Sequence, residues 1–100
     1  QRVRDLARRE RTKRAVVEAL SGDGEHSPGD VAGMLESLRA LAGSAYAGDA
    51  RVMAEEIAAR LDRLADSDPA RAGLLYPQAI RYFPNDPKLR ALDLNAARRP

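Results

Sequence analysis

An all-α fold, with about five helices as antiparallel hairpins in a short solenoid or compact bundle, is predicted by three features of this 100-residue sequence. Alanine, leucine and arginine dominate, and these lose little on entering a helix. β-Branched residues are scarce, so a sheet has almost no material. Finally, Asp30, Asp49, Asp68 and Asp86 recur at separations of 19, 19 and 18 residues, each at or near the start of an apolar stretch with helical spacing.

Taken in order, the first helix is expected near residues 2–20. Ala15, Val16, Val17, Ala19 and Leu20 can join a core, whereas Arg8 to Arg14 offer no apolar residue, so the middle of this helix reads as solvated. Ser21-Gly22-Asp23-Gly24-Glu25-His26 reads as a flexible loop. Ser27-Pro28-Gly29-Asp30 then supplies a capping serine, a proline at the first helical position and an acid at the third. The second stripe is Val31, Met34, Leu35, Leu38, Leu41, Ala42 and Ala45, and Gly48-Asp49 is expected to end that helix and cap the next. Ala50, Met53, Ala54, Ile57, Ala58, Leu61, Leu64 and Ala65 make the third. Asp68-Pro69 and Asp86-Pro87 repeat the cap-then-proline pairing before stripes of Ala72, Leu75, Tyr76, Ala79, Ile80 and Phe83, and of Leu89, Leu92 and Ala96. Each stripe lies on one helix face and needs a neighbour to cover it. Pro77 removes a backbone donor inside the fourth helix, which should kink or break near residues 73–77.

The net charge of +2 hides an asymmetry. Residues 1–14 carry seven basic side chains against Asp5 and Glu10, whereas residues 15–97 carry eight basic and thirteen acidic ones. The chain therefore divides into a basic N-terminal helix or arm, 1–14, and a single mildly acidic helical domain, 15–100. The lack of cysteine excludes disulfides and thiolate metal sites. No apolar run approaches a membrane span. A first residue of Gln rather than Met suggests a segment of a larger protein. Cytoplasm is the favoured compartment, with periplasm left open for a piece of a secreted chain.

Catalysis finds little footing, and the chain is expected to be a non-enzyme with no cofactor and no bound metal. His26 stands alone, Asp23-Gly24-Glu25 lacks a calcium-loop pattern, and the five serines have no histidine partner in a recognisable setting. Glu55 and Glu56 are adjacent on a helix and do not face each other. The candidate partner-binding residues are Arg8, Arg9, Arg11 and Arg14 in the basic stretch, together with Tyr82. The arginines could neutralise phosphates or meet an acidic protein, although no aromatic residue interleaves them to stack on bases. Residues 15–42 open like a helix-turn-helix reader, but Arg39 is the one cation on the following helix. Tyr76 and Phe83 fall on the buried stripe as core plugs, while Tyr82 points toward the Arg81 side as a rim residue or interface anchor.

Two helix-plus-turn units span 37 or 38 residues, and Tyr76, Ala79, Ile80, Pro84 and Asn85 fall in the pattern Tyr-x-x-Ala-Leu followed by a Pro-Asn turn. Residues 68–97 thereby resemble the second helix and turn of a tetratricopeptide-like repeat. The preceding helix departs from that pattern, with Arg60 near its glycine position, so no ligand-binding residue carries over. The resemblance implies a non-catalytic protein–protein interaction or scaffold module, through a protein partner or self-association. Nucleic-acid binding through the basic helix is the alternative.

Overall fold

The computed structural model describes residues 2–22 and 27–98, with the side chains at 2, 28 and 95–98 left aside. The chain is all-α: α1 (Arg2–Ser21), α2 (Val31–Ala42), α3 (Tyr46–Ser67), α4 (Pro69–Tyr82) and α5 (Pro87–Arg98), with 3-10 turns at Pro28–Asp30 and Gly43–Ala45. No strand occurs among the described residues.

The punctuation is mostly as the sequence predicts. At the entry to α2 the Ser27 N–H donates to Asp30 Oδ2 at 3.1 Å, so the acid reaches back to the capping residue. Asp68 Oδ1 accepts the Arg71 N–H at 3.2 Å, and Asp86 Oδ2 accepts the Leu89 N–H at 2.9 Å. Pro69 and Pro87 open their helices, where the missing N–H costs nothing.

Two expectations are corrected. Gly48-Asp49 is no boundary, because both residues lie inside α3. The break falls earlier, at Gly43, whose φ of 55° and ψ of −125° suit glycine alone. Gly48 stays helical, and the Asp49 carboxylate bonds to α1 instead of to a helix end. Pro77 does not break its helix either: α4 runs unbroken from Pro69 to Tyr82. Pro77 sits on the exposed side of α4, and the carbonyl it leaves without a donor belongs to Gly73, one turn back. His26 and the Asp23-Gly24-Glu25 segment lie outside the described residues, as does the side chain of Ala96.

The helices pair in sequence and also align in alternate order. α1 packs mainly on α2 and α3, α3 on α4, and α5 on α4 and α3. Glu10, Lys13, Arg14 and Val17 of α1 ascend beside Val52, Met53, Glu56 and Arg60 of α3, so these two helices run parallel. α4 returns antiparallel, bringing Tyr82 and Phe83 back to Tyr46 and Ala50 at the start of α3. The turn at 83–86 then reverses the chain, and α5 begins beside the first half of α3. The result is an elongated stack of 52 × 26 × 19 Å.

One continuous core runs through all five helices. Val16 and Leu20 of α1, Val31 and Leu38 of α2, Met53, Ile57 and Leu61 of α3, and Leu89 of α5 are fully buried. Tyr76 and Phe83 supply the aromatic area from α4 and its end, as their place on the stripe predicts. Ala54, Ala58, Ala72 and Ala79 are also buried, and their small side chains let helix backbones approach closely. Arg71 of α4 donates to the carbonyl of Gly22, tying the start of that helix to the end of α1. Gly22 has a φ of +79°, a backbone conformation that favours glycine.

Candidate functional site

The basic stretch divides into two sets. Because side chains three and four residues apart share a helix face, Arg9 and Lys13 fall on the side of α1 that continues to Val16 and Leu20. There they meet Asp49, in the first turn of α3. Arg9 Nε and Nη2 donate to Asp49 Oδ2 and Oδ1 at 2.6 and 2.7 Å, a bidentate fork, and Lys13 Nζ lies 3.6 Å from Oδ1. The Asp49 side chain is 7% exposed and that of Arg9 26%, so the clamp sits at the edge of the core. The hydrogen bond from Arg9 holds the Asp49 carboxyl below the usual carboxylate range, against burial that pushes it up, and Lys13 adds to the lowering. Asp49 in turn raises the guanidinium of Arg9.

Arg9, one of the candidate partner-binding residues, is thus engaged within the fold by Asp49. It holds α1 on α3 and is not a solvated cation, because a buried carboxylate without a cation would be costly. As expected, a single helix, α1, carries the chain from the basic stretch across residue 15. Arg8, Arg11 and Arg14 are exposed, and Arg4 joins them. None of these four side chains forms an ion pair among the described residues.

Tyr82 lies elsewhere. It is half-buried against the core and lines a groove of about 830 Å³ between the start of α3 and the α4–α5 turn. Tyr46, Ala50, Ala54 and Phe83 provide the apolar wall. Arg39, Arg51, Glu55, Asp86 and Lys88 provide the charges. The two acids are already engaged, Glu55 with Arg51 at 3.4 Å and Asp86 with the backbone N–H of Leu89. Arg39 stacks over the Tyr46 ring at 5.0 Å and Arg81 over the Tyr82 ring at 5.9 Å, geometries that orient each cation without neutralising it. The groove is therefore apolar inside, and Arg39, Arg51 and Lys88 against Glu55 and Asp86 leave its rim with a small net positive charge.

Sequence reasoning placed Tyr82 on a rim but missed the groove, because its two walls come from separate segments of the chain, within 39–55 and 82–88. Arg39 and Tyr46, seven residues apart, give no periodic signal across the Gly43–Ala45 turn. Among the described residues no three His, Cys, Asp or Glu side chains come together to hold a metal ion. No helix of the described chain is long and apolar enough to cross a membrane. Compared with models of known families, with curated proteins and with solved structures, the chain matches none.

Proposed function

We propose that this chain is a non-catalytic protein–protein interaction module, a short stack of tetratricopeptide-like helical hairpins that takes a peptide segment in the Tyr82 groove. The observation that carries the reading is the groove itself. Its volume of about 830 Å³ suits several side chains, and Tyr46, Ala50, Ala54 and Phe83 give it an apolar wall. With its acids engaged and Arg39 and Lys88 left at the rim, the fitting partner is an acidic segment carrying an apolar or aromatic anchor. The alternation of helices supports the repeat reading: α1 and α3 lie side by side, and α2 and α4 fold back on them as hairpin partners.

The test is selection of peptides from a random library on the intact chain, followed by nuclear magnetic resonance mapping. Enriched Asp or Glu beside Leu or Phe is expected, with shifts confined to the start of α3 and the 82–88 segment. Arg39→Glu together with Lys88→Glu should abolish binding while leaving the helical circular dichroism unchanged. Peptides with no acidic enrichment, or shifts on another face, would remove the basis of the proposal.

Self-association is a second reading, favoured by Leu74 on α4 and Leu94 on α5, which are 76% and 58% exposed. A concentration-dependent dimer in light scattering that Leu74→Glu dissolves would support it, and a monomer at all concentrations would dispose of it.

A further inference from the structure

We infer that the outward face of α1 is a binding surface for the phosphate backbone of a nucleic-acid duplex, separate from the groove. Arg4, Arg8, Arg11 and Arg14 stand at i, i+4, i+7 and i+10, so they share one side of the helix over about 15 Å, roughly three turns. All four are exposed, and none is neutralised by an ion pair among the described residues. Two acids border this side, Asp5 and, one turn before Arg14, Glu10. Glu10 is occupied by Lys13 at 3.1 Å, and Asp5 lies toward the flank. Glu18 marks the end of the run, one turn beyond Arg14.

The clamp on the opposite side gives this arrangement its orientation. Arg9 and Lys13 are drawn inward to Asp49, which fixes the roll of α1 and turns the other four guanidiniums to solvent. With the roll fixed in this way, Arg4, Arg8, Arg11 and Arg14 all stay exposed along α1. Arginine rather than lysine suits phosphate, because its planar fork can donate two bonds to one phosphate group.

Three features favour duplex phosphates over other anions. Ala7 lies between the arginines, and α1 carries no aromatic side chain of the kind on which a protein interface concentrates its energy; its exposed apolar groups are Val3 and Leu6. The same lack of aromatics leaves nothing to stack on the bases of a single strand. The small Ala7 also lets the helix backbone come close, and a helix of about 10–12 Å diameter enters a major groove of about 12 Å. Residues 15–97, with eight basic and thirteen acidic side chains, carry a net negative charge that disfavours a polyanion over most of the remaining surface. Without base-reading groups the binding should be indifferent to sequence.

The experiment is fluorescence anisotropy of a labelled 20-bp DNA duplex titrated with the intact chain over a range of salt. Four neutralised phosphates give a slope of log K against log salt of about −3.6. Each of Arg4→Ala, Arg8→Ala, Arg11→Ala and Arg14→Ala should shrink that slope by about 0.9, whereas Arg63→Ala on α3 should leave it unchanged. The melting temperature of each variant serves as the folding control, since Arg14 borders α3 and Arg8 and Arg11 border Met34 of α2. Unaltered binding in the fourfold alanine variant would overturn the inference. So would tighter binding of a single strand, or equal binding of poly-glutamate, which would point to an acidic protein. Loss of duplex binding on Arg39→Glu and Lys88→Glu with the α1 arginines intact would also overturn it, by assigning the contact to the groove.

Discussion

Leu61→Ala removes three carbons from a side chain that is fully buried at the centre of α3. At about 0.8 kcal/mol per buried methylene, the transfer loss alone is about 2.4 kcal/mol. A cavity adds to this to the extent that the surroundings cannot collapse into it. Here they collapse poorly, because the buried faces of α3 and α4 are rich in alanine, at Ala54, Ala58, Ala72 and Ala79, and alanine has no rotamers with which to fill a hole. The expected cost is therefore in the upper part of the usual range, about 3–5 kcal/mol. For a domain of this size each kcal/mol lowers the melting temperature by about 4–8 °C, so a fall of more than 12 °C is expected by circular dichroism. Urea unfolding should show a lower midpoint at unchanged slope. Leu74→Ala, at a residue 76% exposed, is the matched control and should stay within about 0.5 kcal/mol of the parent. Equal melting temperatures for the two variants would refute the packing described for α3.

The Arg9–Asp49 clamp predicts a pH dependence with a definite sign. Because the folded carboxyl is held below its usual value, its stabilisation is complete above the unfolded value of about 3.9 and is lost as pH falls through the folded one. Asp49→Asn should therefore melt below the parent at pH 7, with the gap closing in acid; a gap constant down to pH 2 would contradict the clamp. The two glycines at the corrected helix boundary should respond oppositely. Gly43→Ala, at a φ of 55°, should destabilise by about 1–3 kcal/mol. Gly48→Ala, inside α3 with open space at its Cβ, should stabilise by about 0.5–1 kcal/mol. Urea titration reads both, and the reverse order would restore the break at Gly48. Asp68→Ala removes the cap of α4 and should cost about 0.5–2 kcal/mol by the same assay.

What the sequence by itself determined is what depends on near neighbours along the chain. The all-α class, the stripes that became the buried faces, and the caps at Asp68 and Asp86 follow from helical periodicity and from side chains reaching their own backbone three residues on. Tyr76 and Phe83 could be assigned to the core for the same reason. Asp49 shows where this reasoning stops. Its spacing matched the other three aspartates, but its carboxylate was claimed by two cations about forty residues away. A local signal cannot register such a partner, since a helix-terminal cap and a buried ion pair ask for the same residue type. The tertiary structure alone decided which arginine of the basic run is held inward, because α3 offers the Asp49 carboxylate to the side of α1 that carries Arg9. It also made the Tyr82 groove, bringing the start of α3 against the α4–α5 turn. That surface exists only because α4 folds back antiparallel on α3, and it has no counterpart in any single stretch of the chain.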